Sequence, residues 1–168
     1  MYFKSMRFFV KSILVCTALF LLACGTPDVI QAKSVSGDTW DSLRRTCIDY
    51  ANSKRASLVI AQLTRWTAAD TCSDNQAEDD MKADAAHSHF GACGERAQNT
   101  CPGWPATADS ASQAAVVHGC LDAMWNEGPG TPYSAHGHYI NMSNTSYTEL
   151  TCGFHFENGS LWVNMNFK

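Results

Sequence analysis

Apolar residues recur at helical spacing over three stretches of the chain and alternate over one, and the order of those stretches sets the fold class. Leu43, Cys47, Ile48 and Ala51 share one face of a helix that starts near Trp40, is capped by Asp38 or Thr39, and ends between Arg55 and Leu58. A second helical region covers Trp66 to about Ala86, with a break expected near Thr71 to Asn75. Its apolar members (Ala68, Ala69, Ala77, Ala85) are small enough for close packing. A third helix runs from Ser110 or Ser112 to Trp125, with Ala115, Val116, Gly119, Cys120 and Ala123 spaced for burial. Gly128-Pro129-Gly130 stops it.

Alternation takes over at the C-terminus. Asn158-Gly159 is the preferred pair for a two-residue hairpin turn, because both positions need positive φ. Counting outward pairs Phe156 with Leu161, Phe154 with Val163, Cys152 with Met165 and Leu150 with Phe167, an all-apolar face. The other face pairs His155 with Trp162, Gly153 with Asn164 and Thr151 with Asn166. Burial of the apolar face fixes that register. Gly137 to Met142 reads as a further strand, and His87 to Ala108, rich in Gly, Pro, Asn and Cys, as a disulfide-pinned loop. Strands and helices do not alternate, which disfavours a doubly wound parallel sheet. The expected architecture is α/β: a three-layer α-β-α sandwich with a small central antiparallel sheet, stabilised by disulfides.

Composition adds the compartment. Lys4, Arg7 and Lys11 precede an apolar run, Ile13 to Ala23, that is too short to span a bilayer, so residues 1–23 read as an export signal. Leu21-Leu22-Ala23-Cys24 is similar to a bacterial lipobox, which would make Cys24 a lipid-modified N-terminus; ordinary signal-peptidase cleavage is the competing reading. Residues 24–37 form a polar tether, and 38–168 the domain. The expected location is therefore exported, either secreted or a cell-envelope lipoprotein (outer membrane in a Gram-negative cell), touching the membrane only through the anchor. Without the signal the chain has 145 residues with 9 basic and 16 acidic side chains, a formal charge of −7. That is one domain's length, and it lacks the basic patch a nucleic-acid partner requires. Cys47, Cys72, Cys93, Cys101, Cys120 and Cys152 are an even six in an oxidising compartment, so three disulfides are expected. The pairing favoured by short loops is Cys93–Cys101, Cys47–Cys72 and Cys120–Cys152.

The candidate chemistry lies in two histidine segments. His87-Ser88-His89 is followed by Glu95 and by Gln98-Asn99; Glu127 stands eleven residues before His138. Imidazoles with carboxylate or amide partners are what a small divalent-metal pocket uses. Asp74, Glu78, Asp79, Asp80 and Asp84 form an acidic run without a calcium-loop pattern and read as a solvated helix face. His118, His136 and His155 read as peripheral, and Trp104 and Trp162 as packing residues.

In order and spacing these segments resemble the CAP superfamily (cysteine-rich secretory, antigen 5 and pathogenesis-related proteins; SCP-like), and in particular a bacterial cysteine-rich branch of it. Asn52-Ser53-Lys54-Arg55 resembles the family's early His-Asn-x-x-Arg, with Ala51 in place of the histidine. Leu63 and Trp66, His87-Ser88, Gln98-Asn99, Met124-Trp125-Asn126-Glu127, Gly137-His138-Tyr139 and Thr151-Cys152-Gly153 resemble later family segments in the same order. The resemblance implies a cleft built from His87, Gln98, Glu127 and His138, with His87 and His138 able to hold Zn²⁺ or another divalent cation. The family's second acidic position is glutamine here, and Glu95 is the alternative source of that carboxylate. The resemblance further implies an extracellular binding module for a lipid or sterol, polysaccharide or protein ligand, rather than an enzyme. The competing readings are a metal-assisted hydrolase, with Glu127 activating water and Glu95 or Gln98 orienting it, and a structural envelope protein with a vestigial cleft.

Overall fold

The computed structural model describes residues 39–168; the signal 1–23, Cys24, the tether 24–37 and the proposed cap Asp38 lie outside them. The elements run α1 (Asp41–Ser57), β1 (Thr64–Arg65), a 3-10 turn (Thr67–Ala69), α2 (Asp70–Ala83), β2 (Ala97–Pro105), α3 (Ser110–Asn126), α4 (Tyr133–Ser143), β3 (Glu149–Glu157) and β4 (Ser160–Phe167). The sheet order is β1-β3-β4-β2. Its pairings are antiparallel except for the two-residue β1, which lies parallel to β3. With helices on both faces, this is the expected disulfide-stabilised α-β-α sandwich.

The hairpin register is the one alternation predicts, at all seven pairs named above. Asn158 and Gly159 have φ of 51° and 77°, as the turn requires. The apolar face (Leu150, Cys152, Phe154, Leu161, Val163, Met165, Phe167) meets Leu43, Cys47 and Ile48 of α1 and Val117, Cys120, Leu121 and Met124 of α3 in one core. Asp109 caps α3 by accepting a hydrogen bond from Ser112 N–H at 2.8 Å. α1 lacks a side-chain cap at Trp40, in place of the predicted Thr39.

The second face of the sheet is the less expected one. Thr151, Asn164 and Asn166 are fully buried, because α2 covers them with a matching polar stripe of Ser73, Gln76 and Asp80. Gly153 permits the approach: a Cβ there would stand 2.0 Å from the Ser73 carbonyl oxygen. α2 is unbroken over Thr71–Asn75; the irregular turn precedes it. Beyond β1, the free edge of β3 is satisfied by side chains. The Arg44 guanidinium donates to Cys152 O, and Asp74 accepts from Phe154 N–H at 2.9 Å while pairing with Arg44.

Two expected elements change identity. Within the supposed loop, Ala97–Pro105 is strand β2; its Pro102-Gly103 is absorbed by a register shift between Cys101 and Trp104, with Gly103 at φ 63°. Gly137–Met142 is part of helix α4 rather than a strand, and the missing side chain at Gly137 makes room for the Tyr133 ring. The three disulfides form, but none with the expected partner: the pairs are Cys47–Cys152, Cys72–Cys93 and Cys101–Cys120. Short loops mislead because β2 carries Cys101 into the sheet beneath α3, leaving Cys93 beside α2. Each bridge then ties a helix to the sheet or to the adjacent loop.

Candidate functional site

His87 lies between α2 and β2 in the left-handed region, at φ 64°, an uncommon conformation for a residue with a side chain. Asp80, fully buried on α2, holds it there. Its carboxylate accepts from His87 N–H (3.2 Å), Ser88 N–H (2.8 Å), the Ser88 hydroxyl (2.6 Å) and Asn164 Nδ2 (2.9 Å). Four donors compensate a carboxylate removed from water. The acidic run is therefore not wholly a solvated face: Asp80 belongs to the interior, and Asp74 serves the β3 edge.

Gln98 on β2 meets the His87 ring, with Oε1 at 2.8 Å from Nδ1. Glu127 closes α3, and one carboxylate oxygen lies 2.5 Å from Nδ1 of His138 on α4. The other accepts from the backbone N–H of His138 (2.9 Å) and Tyr139 (3.4 Å). Asn99, next to Gln98 on β2, donates to His138 O at 3.1 Å and accepts from Asn141 Nδ2 at 2.9 Å, and Asn141 accepts from the Tyr133 hydroxyl. This chain of amides holds α4 against the sheet. Arg55, fully buried on α1, fixes the far end of α4 by donating to Met142 O and Asn144 O; burial lowers its pKa from the ordinary arginine value. Its neighbour Asn52 exchanges two hydrogen bonds with the Leu63 backbone.

Together His87, Gln98, Glu127 and His138 line one cavity of about 140 Å³, with Tyr133, Ser134, Gly137 and Asn141 completing its wall. A larger groove of about 550 Å³ adjoins it, sharing His87, Gln98, Tyr133 and Asn141. It extends over Phe90, Arg96, Ile140, Asn144 and Tyr147. A separate cavity of about 340 Å³ between the starts of α1 and α3 has no titratable lining residue.

The other candidates fall outside the cleft. Glu95 is buried, accepting from Gly91 N–H, Cys93 N–H and Gln76 Nε2, so it anchors a loop while Gln98 lines the cavity. His89 is exposed near Asp79. His136 caps the end of α3 through the Glu127 and Gly128 carbonyls, and His118 stacks on Tyr50. Asp80 and Asn141 help to position the cavity wall but were not singled out by the motifs, and Asn99 stood only as the neighbour of Gln98. The sequence signal for Asp80 is the polar spacing of Ser73, Gln76 and Asp80 against Thr151, Asn164 and Asn166.

The donor chemistry suits a metal in one respect. Each imidazole turns Nδ1 to an amide or carboxylate oxygen, leaving Nε2 as the ligand atom, the arrangement that orients metal-binding histidines. Among the described residues no group of three or more His, Cys, Asp or Glu could hold a metal.

No family model matches the sequence, and neither does any curated protein. Solved structures do resemble it. Na-ASP-1 matches with a TM-score of 0.52 at 18% identity over 82% of this chain, which spans 41% of that longer protein. NaASP2 with Zn²⁺ matches at 0.51 and 15% identity over 76% of this chain and 79% of its own. Venom allergen-like protein 4 of Schistosoma mansoni matches at 0.50 and 11% identity over 74% of this chain and 86% of its own. At these identities the likeness speaks to the fold alone: residues 39–168 fold as these proteins do.

Proposed function

We propose that the chain is an exported binding module of the CAP type, whose cleft holds a divalent cation between His87 and His138 and whose adjoining groove takes the ligand. The observation that carries this reading is that His87, Gln98, Glu127 and His138, from four separate parts of the chain, line one cavity with both Nδ1 atoms already engaged. The three disulfides support an oxidising compartment. The lipobox at Cys24 would place the module on a bacterial envelope, anchored by lipid or released.

Zn²⁺ suits two neutral imidazoles, and when bound it would supply a Lewis acid for an oxygen of the ligand or for water. The residues themselves bind and orient. Glu127 and Gln98 fix the two rings, and Asn99 and Asn141 hold α4 in place. Hydrolysis would need a free base beside the metal. Both oxygens of Glu127 are committed to His138 and the α4 backbone, and Gln98 is uncharged, which favours binding over turnover. In the groove, Phe90, Ile140 and the Tyr133 and Tyr147 rings beside the cationic Arg96 favour a lipid or sterol-like amphiphile over a polysaccharide or protein.

Calorimetric titration of the exported protein with zinc tests the reading. One bound ion per chain is expected, with affinity lost in both His87→Ala and His138→Ala. Equal affinity in wild type and both variants would discard the site.

A further inference from the structure

We infer that Glu95, outside the cleft, is a positioning residue that, together with the His89 carbonyl, sets the proton of His87 through a relay of two side-chain amides, Gln76 and Gln98. The inference rests on the cleft reading only for its effect on metal; the relay itself is a matter of hydrogen-bond direction.

The chain of donors has one consistent sense. Gln76 on α2 faces the Glu95 carboxylate at 2.7 Å and the His89 carbonyl at 2.8 Å. Both partners only accept, so the amide group turned to them is NH₂. Gln76 therefore presents its oxygen inward, where it accepts from Asn166 Nδ2 at 2.6 Å and Gln98 Nε2 at 3.2 Å. Gln98 Nε2 also donates to Asn166 Oδ1 at 2.9 Å. With its NH₂ spent on those two oxygens, Gln98 turns its own oxygen to His87, 2.8 Å from Nδ1. The Thr100 hydroxyl, 3.4 Å from the same nitrogen, donates or accepts and does not oppose this. His87 must then carry its proton on Nδ1 and keep the Nε2 lone pair. Gln76, Glu95, Gln98 and Asn166 are all buried, so water does not substitute for a member of the series. Glutamine at position 98 is thus required by this interior: a carboxylate there would face the oxygens of Gln76 and Asn166.

Long-range ¹H–¹⁵N NMR of the labelled, disulfide-bonded, metal-free protein reads the tautomer directly; zinc titration of the same samples reads the consequence. Wild type should show His87 protonated at Nδ1. Gln76→Met, which cuts the link between Glu95 and Gln98, should give a mixture with the Nε2-protonated form and weaken zinc about 10-fold or more. His138, held separately by Glu127, reports intact folding by keeping its own signals throughout. His87 protonated at Nε2 in wild type overturns the relay, a result that needs no variant to fold. Unchanged His87 signals in Gln76→Met overturn it as well. The expected tautomers without zinc binding in wild type would leave the relay standing and remove the metal reading.

Discussion

Asp80 is the residue on which the cleft's first imidazole depends, although no atom of it lines the cavity. It holds a histidine in the left-handed region, where a side chain costs energy and persists only if its surroundings over-determine it. Removing that carboxylate would leave the fully buried Asn164 Nδ2 without its acceptor and release the His87 and Ser88 N–H groups. Asp80→Ala should therefore lower the unfolding free energy by about 2 kcal/mol in urea titration, and weaken zinc binding in parallel. A loss of stability with zinc affinity unchanged would show that the backbone of His87 is not set from α2. The sequence displayed His87, Gln98, Glu127 and His138 as candidates, because each sits in a short motif with recognisable spacing. It hid Asp80 inside an acidic run, since solvation and burial of a helical carboxylate look alike until the opposing surface is known.

At the scale of elements, legibility followed the strength of the local pattern. The hairpin was readable to the residue because a two-residue turn and a period of two leave one register that buries the apolar face. β2 was concealed by Pro102-Gly103, residues that ordinarily interrupt a strand, which a bulge accommodates here. α4 was mistaken for a strand because eleven residues holding Gly137, Tyr139 and Ile140 carry little helical propensity; tertiary contacts at Asn141 and Met142 override it. The polar layer between α2 and the sheet depends on one close approach, at Gly153. A methyl group there meets the α2 backbone, which cannot swing aside as a side chain could. Gly153→Ala should cost roughly 3 kcal/mol by overpacking, measured by thermal or urea unfolding. A near-neutral result would mean that α2 stands farther from β3 than its buried side chains indicate.

Across the whole molecule, the disulfides join the layers that form the cleft. Cys47–Cys152 closes 105 residues and links α1 to β3, Cys101–Cys120 links β2 to α3, and Cys72–Cys93 links α2 to the loop after His87. Their number was readable from the count of cysteines, whereas their partners depend on which strand lies beneath which helix. The same holds for the site: four short motifs suggest a cleft, but only the stacking of α3 and α4 on β2 brings His138 and Glu127 to one cavity with His87 and Gln98. The most direct measurement of the central claim is anomalous diffraction at the zinc edge from crystals of the protein grown with Zn²⁺. The account predicts one strong peak bonded to Nε2 of both His87 and His138; a peak elsewhere, or rings bound through Nδ1, would contradict it.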